Sequence, residues 1–243
     1  MRTTTKGIVL HHFKYGEKSV IAKVYTQDFG LQSYILNGVR NKKSKNKAVY
    51  LQPLSLVEIN AVHKEKKGLE RVKNIQLDFP FNTIPFDIGK SSIAFFVAEV
   101  LYKSIKEEES NAFLFDFLYY SIKMLDLAEG GYANFHLLFL ANLTKHLGFY
   151  PQKPISLGVS KVYFDLQEGC FVNLQPFHNA FVEPPISNLF FDVFGTNFDA
   201  MEMLKLTQKQ RRILLSTLLN YYSLHLSNFD NLKTLDILEE VLN

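Results

Sequence analysis

Residues 8–36 have the sequence IVLHHFKYGEKSVIAKVYTQDFGLQSYIL, in which three apolar runs are separated by two short polar stretches. The runs are residues 8–13, 19–26 and 31–36, and each is rich in the β-branched and aromatic side chains that favour strands. In the second run Val20, Ala22 and Val24 alternate with residues of mixed polarity, which is the period of a half-buried strand. Glycines lie in both polar stretches, where turns are expected. This part of the chain therefore predicts three consecutive strands joined by turns.

Two further runs, residues 50–59 and 69–77, continue the strand pattern. Pro53 lacks an N–H donor, so it restricts the start of the fourth run to a sheet edge or a bulge. Five short strands within about 75 residues, with long loops after the third and fourth, are typical of an OB-fold barrel. The pattern alone does not distinguish this barrel from a five-stranded SH3-like one.

Past a linker at residues 79–87 the apolar period becomes helical, as in Ile93, Val97, Val100 and Leu101. Further helices are predicted near residues 112–128, 135–147, 208–225 and 232–242. Between residues 150 and 185 the helical pattern lapses, and the runs at 162–166 and 170–174 predict a β-hairpin. The predicted fold class is α+β: an OB-fold barrel at residues 1–80, then an α-helical domain at residues 81–243 with a hairpin insertion at 150–185.

The charges are divided unevenly along the chain. Residues 1–80 contain 15 Lys and Arg against 6 Asp and Glu, whereas residues 81–243 contain 12 against 18. The stretch Gly38–Lys47 alone holds five cations and no acid, and unpaired charges of this kind are too costly to bury. Such segregation is expected when one module contacts phosphates and the other does not. A solvated lysine-rich loop without a partner is the alternative.

A small barrel can hold single strands by stacking bases on aromatic side chains and pairing phosphates with cations. The candidate stacking residues are Phe13, Tyr15, Tyr25 and Tyr34. The candidate phosphate contacts are Arg40, Lys42, Lys43, Lys45, Lys47, Lys64, Lys66, Lys67, Arg71 and Lys73. The aromatic residues are the weaker set, because an aromatic side chain in a strand more often belongs to the core.

No catalytic arrangement is found in the sequence. The Gly89-Lys90-Ser91 triplet resembles the end of a phosphate-binding loop, but Ile84 stands where that loop needs a glycine, so a helix start is favoured. His11 and His12 are neighbours on a strand and point to opposite faces. Adjacent acids such as Glu107–Glu109 do not converge on one point of a helix. We therefore expect a protein that is not an enzyme and that needs no cofactor.

Cysteine usage and hydropathy indicate the compartment. Cys170 is the one cysteine in the chain, which excludes an intrachain disulfide and fits a reducing cytoplasm. The amino-terminal residues lack the apolar core of a secretion signal. No segment reaches the roughly 18 uninterrupted apolar residues of a membrane span. We expect a cytoplasmic, nucleoid-associated protein without a membrane partner.

Short motifs in the first domain carry a family resemblance. They are Gly16-Glu17-Lys18-Ser19, Thr26-Gln27-Asp28-Phe29-Gly30, Gly38-Val39-Arg40 with a Lys/Ser tail, and Leu51-Gln52-Pro53. In content, order and spacing they are similar to the amino-terminal domain of the bacterial DNA repair protein RecO family. The resemblance covers the whole chain and implies an OB-fold followed by a helical domain. It also implies a recombination mediator that binds single- and double-stranded DNA and anneals complementary strands.

The same resemblance implies partners. RecO relatives work with RecR and single-strand-binding protein to load the recombinase RecA, and RecF is a further candidate. They dock the acidic, apolar-ended tail of single-strand-binding protein on the helical domain, so we expect a groove that combines apolar walls with cations such as Arg211 or Arg212. Many relatives hold zinc with four cysteines in the region of residues 150–185. Here Cys170 and His178 cannot complete a tetrahedral site, and packing of Tyr163, Phe164, Phe171 and Phe177 is expected instead.

Two other classes of function remain open at this stage. A protein adaptor could use the basic barrel to bind an acidic protein surface. A nuclease could use carboxylates that the linear sequence does not group.

Overall fold

The computed structural model describes residues 2–39, 49–62, 68–152 and 162–242. The eight basic-loop candidates Arg40, Lys42, Lys43, Lys45, Lys47, Lys64, Lys66 and Lys67 lie outside these residues. The chain divides into two compact units, Met1–Leu127 and Ala128–Asn243. The predicted domain boundary near residue 80 falls inside the first unit, ahead of its helices. No helix in the described part of the chain combines the length and apolarity needed to cross a bilayer.

The first unit begins with a closed barrel. Its strands are β1 (Arg2–Tyr15), β2 (Ser19–Thr26), β3 (Gly30–Leu36), β4 (Leu56–Val62) and β5 (Leu69–Phe79). Their order around the barrel is β1-β2-β3-β5-β4, and every pair is antiparallel except β3 with β5. This is a five-stranded Greek-key barrel, so the predicted OB-fold is confirmed.

The predicted start of the fourth strand was wrong. Residues Val49–Leu51 form a turn of 3-10 helix, and β4 begins at Leu56. Pro53 cannot donate to a ladder, and Leu54 has a positive φ of 62°, which strands do not use. The Leu54 N–H instead donates to the Val9 carbonyl at 2.8 Å, so the segment is bonded to the middle of β1, beside its bulge.

The turn between β2 and β3 depends on Gly30. Its φ is +64°, and a Cβ built there would lie 2.3 Å from the Glu109 carbonyl oxygen. The neighbouring Leu31 N–H donates to the Glu107 carbonyl at 3.0 Å, so the barrel is bonded directly to the segment between the two helices of this unit. Gly30 therefore permits a close approach of two backbones as well as a left-handed turn.

Gly30→Ala is expected to destabilise the protein by about 2–3 kcal/mol, because strain at positive φ adds to a backbone overlap. Gly16→Ala is the matched control: Gly16 has φ +61° but nothing within 4 Å of a built Cβ. The control should cost only about 1 kcal/mol in urea unfolding. Equal losses for the two variants would show that the approach of Glu109 contributes nothing.

Helices α1 (Ile88–Ser104) and α2 (Ala112–Leu127) complete the first unit. Asp87 caps α1 by accepting from the Lys90 N–H at 2.9 Å, which confirms the predicted helix start. The Lys90 side chain is buried and donates to the Thr83 hydroxyl at 2.7 Å and the Asp126 carbonyl at 3.0 Å. It is therefore a structural side chain. The amino-terminal end of α2 is capped by Asn111, whose Oδ1 accepts from the Leu114 N–H at 3.0 Å.

The second unit combines helices with a small sheet. Its elements are α3 (Phe135–Leu147), β6 (Tyr163–Asp165), β7 (Cys170–Val172), β8 (Phe181–Val182), α4 (Ile186–Gly195), α5 (Gln208–His225) and α6 (Leu235–Val241). Turns of 3-10 helix lie at Tyr132–Asn134 and Phe198–Met203. The predicted hairpin corresponds to β6 and β7, and the sheet gains β8 on the other edge of β6.

Aromatic packing holds this sheet against the helices. The Phe164 ring is fully buried, with ring centroids at 4.7 Å from Phe171, 4.8 Å from Phe190 and 5.2 Å from Tyr221. The expectation that Phe177 takes part was wrong, because its side chain is fully exposed. The adjacent His178 is the residue that turns inward, with Nε2 at 3.0 Å from Asp165 Oδ2.

Candidate nucleic-acid interface

The strand registers of the barrel place two rows of side chains across its outer face. Phe13 pairs with Ile21, Ile21 with Ile35, and Ile35 with Arg71, so one row crosses β1, β2, β3 and β5. The neighbouring row consists of His11, Lys23, Ser33 and Leu69. Because side chains alternate along a strand, these rows lie on the opposite side of the sheet from the barrel core. We refer to the two rows, with Tyr15 at their edge, as the open face, although Ile21 within it is buried and the His11 ring packs against Tyr102 at a centroid distance of 4.7 Å.

The open face presents aromatic surface to solvent. Phe13 is 42% exposed and Tyr15 is 49% exposed, and both lie near the β1–β2 turn. Phe13 stands at the β1 end of the row that ends in Arg71. Ile21 and Ile35 separate this ring from Arg71, so the row has a ring at one end and a guanidinium at the other. Tyr15 is accessible to a base, and its role in stacking stays a prediction.

The barrel also carries exposed cations. Arg71 and Lys73 are exposed on β5, as the sequence hypothesis requires, and Lys23 is half-buried in the second row. Lys14 and Lys18 are exposed around the β1–β2 turn, which also contains the acid Glu17. The basic segments at residues 40–47 and 64–67 lie outside the described residues.

Tyr34 was wrongly predicted as a stacking residue. It is fully buried, and it belongs to the cluster of inward side chains that includes Val24, Leu36 and Ile59. Tyr25 is also fully buried: its ring stacks on Phe115 of α2 with centroids 6.4 Å apart, and burial raises its pKa to about 12. Both tyrosines are core side chains, so neither can receive a base.

The second unit has a small cavity, with free space of about 20 Å³, where cationic and apolar side chains meet. Its lining residues are His136 from α3, Gln208, Arg211, Arg212 and Leu215 from α5, and Leu238, Glu239 and Leu242 from the carboxy-terminal segment. Arg211 Nη1 donates to the Leu206 carbonyl at 2.9 Å, and Arg212 Nε lies 3.7 Å from Glu239 Oε2. We refer to this cavity as the arginine groove.

The positive charge of the arginine groove comes from its arginines. Burial and, to a smaller extent, the nearby Arg211 guanidinium lower the pKa of His136 to about 3. The imidazole is therefore neutral near pH 7. Leucine side chains form the remaining walls. A ligand with carboxylates and an apolar end would find complementary groups here.

Comparisons with known proteins agree with this architecture. Residues 1–81 match the family model described as Recombination protein O N terminal, and residues 85–153 match Recombination protein O C terminal. Proteins named DNA repair protein RecO are similar over the full length of both chains. The identity is 42% for Flavobacterium psychrophilum, 37% for Phocaeicola vulgatus and 36% for Bacteroides fragilis.

The chain belongs to the RecO family. The resemblance drawn from the short motifs of the first domain is therefore confirmed, and the protein is a RecO-family DNA repair protein. The match to a solved structure of a putative aspartyl-tRNA synthetase from Leishmania major covers 78% of this chain and 37% of the synthetase chain. The two chains share 14% identity, and the TM-score of 0.27 is too low to indicate a common fold.

The imidazole of His178 is held by two protein groups. Both ring nitrogens of His178 are engaged, since Nε2 meets Asp165 and Nδ1 accepts from the Ala180 N–H at 3.2 Å. Burial raises the pKa of the Cys170 thiol, and nearby acids raise it further, which disfavours the thiolate that binds metal. Among the described residues no three His, Cys, Asp or Glu side chains form a metal cluster. These residues do not fit tetrahedral zinc.

Sequence reasoning missed several residues of the open face. Lys23, Ile35 and His11 were not recognised, although the period-2 pattern that identified β2 contains the necessary signal. Once Val20, Ala22 and Val24 are known to be core residues, Lys23 must point outward. The pairing of Ile35 with Arg71 could not be found this way, because β3 and β5 are far apart in the chain.

Proposed function

We propose that this RecO-family protein is a recombination mediator that binds single- and double-stranded DNA through its barrel. It anneals complementary strands and helps load recombinase onto DNA coated with single-strand-binding protein. The observation that carries the proposal is the open face, where Phe13 and Tyr15 are exposed and Phe13 stands in the same row of paired residues as Arg71.

Annealing requires two polyanions to approach while their base edges stay free. Cations that hold the backbone lower the repulsion by releasing counterions, with little preference for sequence. Rings such as Phe13 and Tyr15 can order the bases of one strand without using the edges that pair. Nothing in this task requires bond cleavage, so we infer that the protein acts without catalysis.

The arginine groove supports a second part of the proposal. We infer that it receives the acidic, apolar-ended tail of single-strand-binding protein, with carboxylates at Arg211 and Arg212 and the apolar end beside the half-buried Leu242. RecR is a further expected partner, and RecF is a candidate. Binding to coated DNA places the protein in the cytoplasm at the nucleoid.

Strand annealing on DNA coated with the cognate single-strand-binding protein tests the mediator function. The full-length protein should accelerate annealing of coated complementary strands. A titration of labelled oligonucleotide by fluorescence anisotropy tests the adaptor alternative, which predicts no saturable binding near physiological salt. Incubation with magnesium and single-stranded DNA tests the nuclease alternative, which predicts cleavage products.

The double variant Phe13→Ala with Tyr15→Ala should weaken binding of single-stranded DNA by about tenfold or more, because stacking is worth roughly 1–3 kcal/mol per base. Duplex affinity should change little, since duplex bases are already stacked on one another. The slope of affinity against salt should stay the same, because no charge is removed. Tyr120→Ala, which removes an exposed ring from α2, is the control. Equal losses for duplex and single strand would contradict stacking.

A further inference from the structure

The carboxy-terminal helix α6 brings an acid and apolar side chains of its own into the arginine groove. Leu238 is 1% exposed and lines the groove, and Leu242 lines it one turn further on. Between them Glu239 directs its carboxylate to Arg212, with Oε2 at 3.7 Å from Nε. This segment, Leu-Glu-Glu-Val-Leu at residues 238–242, has the same chemistry as the ligand proposed for the groove: carboxylates beside apolar side chains.

The two arginines of the groove differ in what they already contact. Arg211 donates to the neutral carbonyl of Leu206, so its charge is not offset by that bond. Arg212 faces the carboxylate of Glu239. The side chains of this ion pair are 53% and 32% exposed, which places it within reach of solvent and of a ligand. An exposed pair of this kind is weak enough to be exchanged for another anion.

We propose that Glu239 is a built-in competitor for the anion position at Arg212. The inference rests on the proposed function of the groove as a site for an acidic tail. A ligand carboxylate can pair with Arg212 only after the Arg212–Glu239 ion pair has broken. Before that, the negative charge of Glu239 repels the ligand carboxylate. The groove therefore favours ligands with several carboxylates, because one can engage Arg211 while another displaces Glu239. A ligand with a single carboxylate has no such advantage.

The experiment compares neighbouring glutamates that differ in this contact. Glu239→Gln removes the competing charge with almost no change in size. Glu240→Gln removes the same charge from the next residue, which is exposed and does not line the groove. The probe is a short fluorescein-labelled peptide whose aspartates precede an apolar carboxyl-terminal end, titrated by anisotropy against the full-length protein. Arg212→Gln and the double variant Arg212→Gln with Glu239→Gln complete the set.

Glu239→Gln should bind the peptide about threefold to tenfold more tightly than the unaltered protein, since an exposed ion pair is worth up to about 1 kcal/mol and repulsion is also removed. Glu240→Gln should bind as the unaltered protein does. Arg212→Gln should bind more weakly, and adding Glu239→Gln to it should restore little, because the competitor acts through Arg212. Thermal unfolding of each variant checks that the groove remains folded.

The possible failures separate the inference from the proposed function. Unchanged peptide affinity in Arg212→Gln would place the peptide elsewhere and overturn the role of the groove. Weaker binding in Arg212→Gln together with unchanged or weaker binding in Glu239→Gln would keep the groove and overturn the competitor. An equal increase in peptide affinity for Glu239→Gln and Glu240→Gln would show that net charge causes the effect. That result would also overturn the competitor role of Glu239.

Discussion

Replacing Lys42, Lys43, Lys45 and Lys47 together by alanine is expected to lower the affinity for single-stranded DNA about 100-fold or more at moderate salt. The reason is counterion release, in which each phosphate contact on a single strand contributes about −0.7 to the slope of log affinity against log salt. If about five cations contact phosphates, the unaltered protein should have a slope of roughly −3 to −4. Removing four of them should leave a slope near −1. Anisotropy titrations over a range of salt concentrations measure both quantities.

The control removes the same charge from other parts of the chain. Lys106, Lys205, Lys209 and Lys233, which lie outside the barrel, are replaced by alanine together. This variant should keep the slope and nearly all of the affinity, and it should anneal strands at the normal rate. A similar loss in both variants would show that overall charge, rather than the basic loop, determines binding. An unchanged slope in the first variant would move the DNA site away from this loop.

Asp126→Ala is expected to destabilise the protein by about 3–5 kcal/mol, because it leaves several buried donors without an acceptor. The Asp126 carboxylate is fully buried at the end of α2. It accepts from the backbone N–H groups of Asn82, Thr83 and Ile84, each at 2.9 Å. These residues form the turn between β5 and α1, so the carboxylate holds the barrel and both helices of the first unit together. Urea unfolding followed by circular dichroism measures the loss.

Asp116→Ala is the matched control for this prediction. Asp116 is exposed on the same helix, and exposed substitutions away from special contacts usually change stability by about 0.5 kcal/mol or less. Asp126→Asn should give an intermediate loss, since the amide keeps an acceptor oxygen. Comparable stability of Asp126→Ala and Asp116→Ala would contradict the role assigned to the buried carboxylate.

These two effects connect architecture with the proposed function. The proposed DNA surface requires a rigid barrel. Asp126 is hydrogen-bonded to the turn that follows β5, and Gly30 allows the β2–β3 turn to approach the backbone of Glu109. In the proposed function the basic loop supplies affinity, whereas Phe13 and Tyr15 order the bases. The variants distinguish these contributions. The Asp126 and Gly30 variants should lose stability, the four-lysine variant should lose salt dependence, and the Phe13 and Tyr15 variant should lose affinity for single strands.

The sequence predicted local structure well wherever one period dominates. The alternation in Val20–Val24 identified β2, and the stripe in Ile93–Leu101 identified α1, because each buries one face of a regular element. The same reasoning assigned Tyr34 to the wrong face. Alternation shows that Tyr34 and Ile35 point to opposite sides, but it does not show which side is closed into a barrel.

The sequence by itself determined the order of strands and helices, the segregation of charge and membership of the RecO family, since these depend on residues close together in the chain. Tertiary structure alone decided which aromatic rings are buried, that Arg71 lies in register with Phe13, and that Glu239 meets Arg212. The physical reason is that burial and ion pairing depend on contacts between residues far apart in the chain. Those contacts form only when distant segments of the chain fold together, and the local period of apolar residues does not encode them.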